Sequence, residues 1–284
     1  MPFGVGAAAE LDTLRKVAET AAVEAAVLVR ERRAAAGASV ADSKSSPVDI
    51  VTEVDREAEA FLRRRLAELR PGDGFLGEEG GRGDSTTGVT WVVDPIDGTV
   101  NFLYGLPHYC VSVAAVDADE RSLAGAVVDV TRGSVFSAAV GAGATQDGAP
   151  LEVRGPAPLS EQLFLTGFQY RPELRELQGV AVARLVPRVR DIRRMGSAAL
   201  ELCALAAGTA DAYVEEGLHL WDRAAAALVA TEAGARVEIR RGVGGTDCLV
   251  AAPVDGFEEV LRVVTECGFL AAGAWADDGF APVT

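Results

Sequence analysis

The run Trp91-Val92-Val93-Asp94-Pro95-Ile96-Asp97-Gly98-Thr99-Val100-Asn101-Phe102 holds the residues best suited to chemistry. An apolar β-type stretch ends in two carboxylates three positions apart, followed by a glycine and a hydroxyl. An unpaired carboxylate at the edge of a core is costly. Two of them together repel, and a cation between them relieves the repulsion. Oxygen-only ligands at this density select a hard ion such as Mg2+, which prefers about six oxygens at roughly 2.0–2.1 Å. Pro95 supplies no backbone donor and turns the chain. Ile96 is apolar, so its side chain can anchor in the core while its carbonyl faces the metal. Gly98 allows close approach of the backbone to a ligand. The N–H groups of Gly98 and Thr99 would then cradle an anion, above all if a short helix starts here.

Two other readings use the same residues. A plain β-turn also places Asp and Gly after a strand, with the Asp side chains bonded to local backbone. A haloacid-dehalogenase-type phosphatase puts acids and a threonine after a strand, but at Asp-x-Asp spacing. The spacing here is Asp-x-x-Asp, which displaces the second acid and loses the covalent aspartyl-phosphate geometry.

The rest of the composition narrows the field. The chain has 284 residues, 49% of them hydrophobic, enough for one large domain or two smaller lobes. Its 42 acids against 27 bases give a formal net charge of −15. Non-specific nucleic-acid binding rests on Lys and Arg neutralising phosphates, so no nucleic-acid partner is expected. An anionic membrane surface is excluded on the same ground. A phosphorylated substrate would need local positive charge, which a bound metal can supply. Cys110, Cys203, Cys248 and Cys267 are scattered beside apolar residues and read as buried, reduced thiols. None opens a Cys-x5-Arg loop, and with only His108 and His219 a His-rich zinc site is not expected. Residues 1–9 lack a basic segment followed by a long apolar one, and no apolar stretch reaches about 18 residues. Neither signal peptide nor membrane span is expected, and cytoplasm is the default location.

The elements that must position the acids are legible as periodicities. Leu11, Leu14, Ala18, Ala21, Ala25 and Leu28 follow helical spacing over about 9–35. A polar segment, Ser43-Lys44-Ser45-Ser46-Pro47, precedes a second helix over about 53–69, which Pro71-Gly72 stops. Phe75-Leu76 is a short strand leading to Gly77-Glu78-Glu79, and the stretch from Gly80 to Gly88 reads as a mobile loop. Strand-like runs at 110–116, 124–130 and 134–140 have antiparallel hairpin character. Gly, Pro and polar residues crowd 141–160, where the lobe boundary is expected: residues 1–150 form an α+β lobe and residues 151–284 an α/β lobe. In the second lobe strands are expected near 163–167, 189–193, 211–215, 235–239 and 248–252. Helices are expected near 173–186, 197–207, 222–233 and 255–266. Such alternation suggests a layered α/β architecture.

With these segments in order, Gly77-Glu78-Glu79, Asp94-Pro95-Ile96-Asp97-Gly98-Thr99 with Asn101-Phe102, and Trp221-Asp222-Arg223-Ala224-Ala225 together resemble the signature segments of the inositol monophosphatase family, in its actinobacterial form. The resemblance runs from Lys44-Ser45-Ser46-Pro47 and Thr52-Glu53-Val54-Asp55 to Glu232-Ala233-Gly234-Ala235. It implies an α/β (α+β) fold, the layered αβαβα sandwich of fructose-bisphosphatase-like proteins, and a homodimer. It also implies Mg2+ as cofactor, two to three ions per site with Mn2+ as a substitute, and inhibition by Li+ and Ca2+. Glu78, Asp94 and the Ile96 carbonyl would hold a first ion; Asp94, Asp97 and Asp222 a second; a third would lean on Glu78. Thr99 paired with Asp55, together with Glu78, would position and deprotonate the attacking water. The Gly98–Thr99 backbone would bind phosphate. Lys44, Gly196, Ser197, Ala198 and Glu215 would face the substrate, with Asp97 and Asp222 close to it.

Singly, several of these residues have plainer readings. Asp55 follows Thr52 by three positions and can close a capping box. Glu78 can be an exposed loop acid, Lys44 a solvated lysine, and Asp222 a helix cap. His219 reads as a packing residue at a helix or strand end. The triplet Ala224-Ala225-Ala226 departs from relatives that carry a glycine after the first alanine or two, and implies a packing adjustment.

The implied activity is hydrolysis of a small sugar or polyol phosphate, first of all inositol 1-phosphate. The alternatives are fructose 1,6-bisphosphate, histidinol phosphate and 3′-phosphoadenosine 5′-phosphate. Asn101-Phe102 favours the inositol branch, and the basic aromatic pocket a nucleotide needs is not evident. A binding or scaffold protein of this fold would usually have lost a ligand acid, whereas Glu78, Asp94, Asp97 and Asp222 are all present. Because Asp94 is expected to bridge two ions, Asp94→Asn should reduce kcat more than Asp222→Asn, by at least ~100-fold, the scale of losing one electrostatic stabiliser. Steady-state phosphate release checks this, and near-normal turnover of Asp94→Asn would refute the ligand assignment.

Overall fold

The computed structural model describes residues 5–36, 40–43 and 50–271. Lys44 and the polar segment around it lie outside the described residues. The chain opens with α1 (Val5–Ala36), a short antiparallel hairpin of β1 (Val40–Ser43) and β2 (Ile50–Thr52), and α2 (Glu53–Leu69). Strands β3 (Gly74–Gly77), β4 (Arg82–Gly83) and β5 (Thr90–Asp97) follow, then the short helix α3 (Thr99–Tyr104). Next come β6 (Cys110–Val116), β7 (Ser122–Asp129), β8 (Val135–Ala139), β9 (Ala144–Gln146) and β10 (Ala149–Pro150). These strands form an eight-stranded sheet in the order β10-β9-β8-β7-β6-β5-β3-β4, antiparallel except for β3 beside β5. The remaining elements are β11 (Leu163–Thr166), α4 (Pro172–Leu185), β12 (Asp191–Arg193), α5 (Ala198–Ala206), β13 (Ala212–Glu216), α6 (Leu220–Glu232), β14 (Ala235–Arg241), β15 (Asp247–Pro253) and α7 (Phe257–Cys267). They build a five-stranded sheet ordered β12-β11-β13-β15-β14.

Strand β6 shows why the elements layer as they do. Every residue of Cys110–Val116 is buried. Side chains alternate across a strand, and here both faces are covered. Val111, Val113 and Ala115 pack with α1 and α2, while Cys110, Ala114 and Val116 pack with α5 and α6. A sheet covered on both faces reads as a continuous apolar run. The far side of α5 and α6 rests on Leu165, Tyr213, Leu249 and Ala251 of the second sheet, whose outer face carries α4 and α7. The result is five layers, α-β-α-β-α, the architecture expected from the resemblance. All four cysteines are free and buried.

Differences from the expected elements are local. The Gly80–Gly88 stretch, expected to be a mobile loop, is tied down: Thr86 donates to the Gly72 carbonyl, Thr87 Oγ1 donates to Asp73, and β4 pairs with β3. The strand expected over 189–193 is reduced to Asp191–Arg193 by a 3-10 turn at Val186–Arg188. Strands β9 and β10, at one end of the first sheet, are too short to carry a periodicity.

The middle layer is unusually thin where α6 crosses β7. A Cβ built on Gly125 would lie 2.9 Å from Ala225 Cα and 3.0 Å from its Cβ. The missing side chain of Gly125 thus makes room for the methyl of Ala225. Ser122 Oγ and Ser112 Oγ pin the start of the same helix through the carbonyls of Ala224 and Trp221. Gly125→Ala should therefore overpack the layer and cost about 1–3 kcal/mol. Gly179→Ala, in exposed α4 with nothing within 4 Å of the new Cβ, should instead stabilise by about 0.5–1 kcal/mol. Urea unfolding of the two variants measures the contrast, and equal effects would contradict the packing argument.

Candidate active site

Residues three apart on a regular strand point to opposite faces. Asp94 and Asp97 nevertheless line the same cavity. The reason is an irregularity in the β5–β6 ladder: Asp94 pairs with Ser112 and Asp97 with Cys110, so three steps on β5 answer two on β6. Such a bulge reverses the facing of the residues beyond it. Trp91 and Val93 face α1 and α2 before it, and Ile96 faces them after it. Ile96 is fully buried there, as the sequence suggested, while the bulged backbone is satisfied by side chains. Ile96 N–H donates to Asp94 Oδ1 at 3.0 Å, and the Ile96 carbonyl accepts from Thr99 Oγ1 at 3.0 Å.

Each neighbouring acid arrives on its own element. Glu78 follows β3, which runs parallel to β5 with Gly77 beside Val93. Gly77 lets the Glu59 carboxylate of α2 approach, since a Cβ there would be 2.3 Å from Glu59 Oε2. Glu59 in turn accepts the Glu79 N–H at 2.6 Å and fixes the turn. Asp222 sits in the first turn of α6 and accepts the His219 N–H at 2.6 Å. Asp97 is gripped by the start of α5: Ser197 Oγ donates at 2.6 Å, Ala199 N–H at 2.7 Å and Ala198 N–H at 3.3 Å. The N-terminus of α5 thus points at a carboxylate, the favourable sense for its dipole. Gly98 closes the strand at φ +98°, and a Cβ there would lie 3.0 Å from the His108 carbonyl and 3.1 Å from that of Gly196.

These carboxylates disturb one another. Burial first, then Glu78, Asp97 and Asp222, push the Asp94 carboxyl well above the usual range. Burial raises Asp97 to about 6, against the bonds from Ser197 and Ala199. Asp222 is pushed well up by burial, Asp97 and Glu78. Glu215, on β13, is raised to about 7 by burial, although Tyr213 donates to it at 2.7 Å.

Asp55 has two jobs on two oxygens. Thr52 N–H (2.8 Å) and Thr52 Oγ1 both donate to Oδ2, and Asp55 N–H returns to Thr52 Oγ1 at 3.4 Å, which closes the capping box of α2. Oδ1 is left for Thr99 Oγ1, 3.3 Å away. The capping box is present, and it leaves one oxygen for the contact with Thr99. Burial, with Glu78 and Glu79 nearby, lifts Asp55 to about 6 against the Thr52 bonds.

The cavity measures about 240 Å3. Glu78, Asp94, Ile96, Asp97, Gly98, Thr99, Gly196, Ser197, Ala198, Glu215 and Asp222 all line it. Asp55 lies behind Thr99 and does not. The sequence reading did not find Phe168, Gln169, Tyr170 and Arg194, which complete the far wall with Trp221. They sit on connections after β11 and β12, where no periodicity marks a residue as facing a site. An arginine and aromatic rings do line this pocket, contrary to the expectation that no such wall exists. His219 is a packing residue at a helix end, as expected: it is the N-cap of α6 with its ring stacked on Trp221 at 4.8 Å, and it is exposed and lines the cavity.

Among the described residues, no three His, Cys, Asp or Glu side chains are drawn together into a finished chelate. The donor chemistry nonetheless fits a hard cation: carboxylates and a backbone carbonyl converge on one cavity, and the charges pressing on Asp94 are other carboxylates.

Five layers with an acid-lined cavity where both sheets and the middle helices meet are the fold and site of a phosphatase of the inositol-monophosphatase type. The family model for the inositol monophosphatase family matches residues 10–266. The inositol-1-monophosphatase of Mycobacterium leprae is 51% identical over 269 residues, 88% of this chain and 92% of that one. The inositol-1-monophosphatase SuhB of Mycobacterium tuberculosis is 50% identical over 266 residues, 87% and 91% of the two chains. The solved structure of Mycobacterium tuberculosis SuhB superposes with a TM-score of 0.78 at 47% identity, covering 91% of this chain and 98% of that one. The chain belongs to the inositol monophosphatase family, and it is an enzyme, a phosphatase.

The two oxygens of Asp55 make a sharp test. A carboxyl whose folded pKa is raised to about 6 costs stability when ionised. The cost is full above about 6 and vanishes below the unfolded value of about 3.9. Asparagine cannot ionise, keeps an oxygen for the Thr52 bonds, and presents N–H to Thr99. Asp55→Asn should therefore melt at or above wild type near neutral pH, with the difference closing towards about pH 4. Thermal melts across pH check this; a markedly lower Tm at neutral pH would contradict it.

Proposed function

We propose that the protein is a Mg2+-dependent phosphomonoesterase whose first substrate is inositol 1-phosphate or a similar small polyol phosphate. One observation carries the reading: Glu78, Asp94, Asp97 and Asp222 share one cavity with the Ile96 carbonyl and the Gly98–Thr99 turn. Relatives near half identity are named inositol-1-monophosphatase, which supports the substrate. In this reading Glu78, Asp94 and the Ile96 carbonyl would hold one ion, Asp94, Asp97 and Asp222 a second, and a third, weaker ion would lean on Glu78 and water. When bound, the ions supply positive charge to the phosphoryl and leaving oxygens and favour formation of the nucleophile.

The chain's own groups do the positioning. The Gly98 and Thr99 N–H groups face the phosphate. Thr99 Oγ1 has one proton and two acceptors in reach, Asp55 Oδ1 and the Ile96 carbonyl. Donation to Asp55 leaves the Ile96 carbonyl for the cation and turns the Thr99 lone pairs towards the attacking water. Glu78 takes the other side of that water. Asp55→Asn reverses the bond to Thr99, so turnover should fall while the fold persists. Glu215 and the Gly196-Ser197-Ala198 backbone offer hydrogen-bond partners to the hydroxylated ring. The proposal includes a cytoplasmic homodimer built of lobes 1–150 and 151–284, on the strength of the resemblance.

A second reading has an observation in its favour. Phe168, Tyr170 and Trp221 line the cavity with Arg194, a wall suited to the base and second phosphate of 3′-phosphoadenosine 5′-phosphate. Phosphate release from inositol 1-phosphate, fructose 1,6-bisphosphate, histidinol phosphate and 3′-phosphoadenosine 5′-phosphate separates the readings. Inositol 1-phosphate should give the highest kcat/KM with Mg2+, with loss of activity in chelator and inhibition by Li+. Full activity in excess chelator would refute the metal dependence. No turnover of any of the four would favour a binding protein.

A further inference from the structure

Glu201 is 1% exposed in the first turn of α5, behind the cavity wall. Its Oε1 accepts two backbone N–H groups, those of Met195 at 2.8 Å and Gly196 at 2.9 Å. Its Oε2 has no hydrogen-bond partner among the described residues. Asn101 grips the same turn from the opposite side, donating through Nδ2 to the carbonyls of Met195 and His108, both at 2.7 Å. Gly196 lies at φ +90°, and a Cβ there would come within 2.6 Å of the Arg194 guanidinium and 3.1 Å of the Asn101 amide. The next residue is Ser197, whose hydroxyl donates to Asp97 Oδ2 at 2.6 Å.

We propose that Glu201 is a positioning residue for the cation site: by holding Met195 and Gly196 through Oε1 it sets Ser197, and through Ser197 the orientation of the Asp97 carboxylate. The inference rests on the reading of Asp97 as a metal ligand. Partners that orient a ligand from behind tune metal affinity nearly as strongly as the ligands themselves. A buried acid with one working oxygen is a costly way to satisfy two N–H groups. The geometry it imposes downstream, on Ser197 and Asp97, accounts for that cost. Burial and the neighbouring Glu215 push the Glu201 carboxyl well above the usual range, towards the neutral form that glutamine mimics. Because Oε1 alone makes both bonds, Glu201→Gln keeps them and Glu201→Leu removes them.

The test is isothermal titration of the full-length protein with Mg2+ alone, with the melting temperature of each metal-free variant. Glu201→Leu and Ser197→Ala should weaken Mg2+ binding about tenfold or more, while Glu201→Gln stays close to wild type. A folded Glu201→Leu with wild-type affinity overturns the inference, as does equal weakening in Glu201→Gln. Should Glu201→Leu fail to fold, the other two decide: undiminished binding by Ser197→Ala, or lost binding by Glu201→Gln, overturns it. Wild-type protein that binds no Mg2+ overturns both the cation-site reading and the inference. Wild-type binding with no effect of any variant overturns the inference alone.

Discussion

Like charges crowded into a buried edge are the constraint that shapes the molecule. Asp94, Asp97 and Asp222 repel one another across a cavity and lose solvation there. No single element would hold them together. Asp94 and Asp97 come from one bulged strand, Asp222 from a helix of the middle layer, and Glu78 from the strand beside them. Each is anchored by hydrogen bonds or packing from a different direction, so repulsion cannot be relieved by one local motion. The folding energy of two sheets and three helical layers is what keeps the acids close.

The middle layer contributes more than filler. Helices α5 and α6 both begin at the cavity, so the positive ends of both point towards the carboxylates. Helix α5 meets Asp97 through Ser197, Ala198 and Ala199. Helix α6 carries Asp222 and is held close to the first sheet by the Gly125–Ala225 contact. The partial positive charge at those helix ends offsets part of the cost of the acids without neutralising them. Residues of the second sheet, such as Glu215, reach the same cavity across that layer.

Most of the elements were legible in the sequence because they are repetitive. The apolar face of α1, the run Cys110–Val116 and the alternation after residue 160 each declare an element within a short window. The acids were legible because carboxylates at the end of a buried strand have few other uses. The bulge in β5 was not legible: it is a property of the pairing with β6, and Asp-x-x-Asp in isolation is silent about facing. The wall of Phe168, Gln169, Tyr170 and Arg194 was missed for a related reason. Phe168, Gln169 and Tyr170 are held at the cavity by bonds from Gln169 and Gln178 to Glu216 and Gly217, and Arg194 arrives on a separate connection after β12. Non-local hydrogen bonds of that kind leave no trace in spacing. The loop at 80–88 misled because its Gly, Ser and Thr content signals freedom, while Asp73 and Gly72 supply partners from outside it.

The bulge also joins the site to the survival of the fold. Ile96 has left the ladder, and its N–H depends on Asp94 Oδ1. A buried donor stripped of its acceptor costs about 1–3 kcal/mol, a large share of the margin by which a domain stays folded. A lineage that ceased to need catalysis and traded Asp94 for an aliphatic residue would shed a repelled carboxylate but strand that amide. Two opposed stability effects act on that position, so the acid can persist after selection for turnover has lapsed. The presence of Asp94 alone is therefore a poor marker of activity among descendants of this fold.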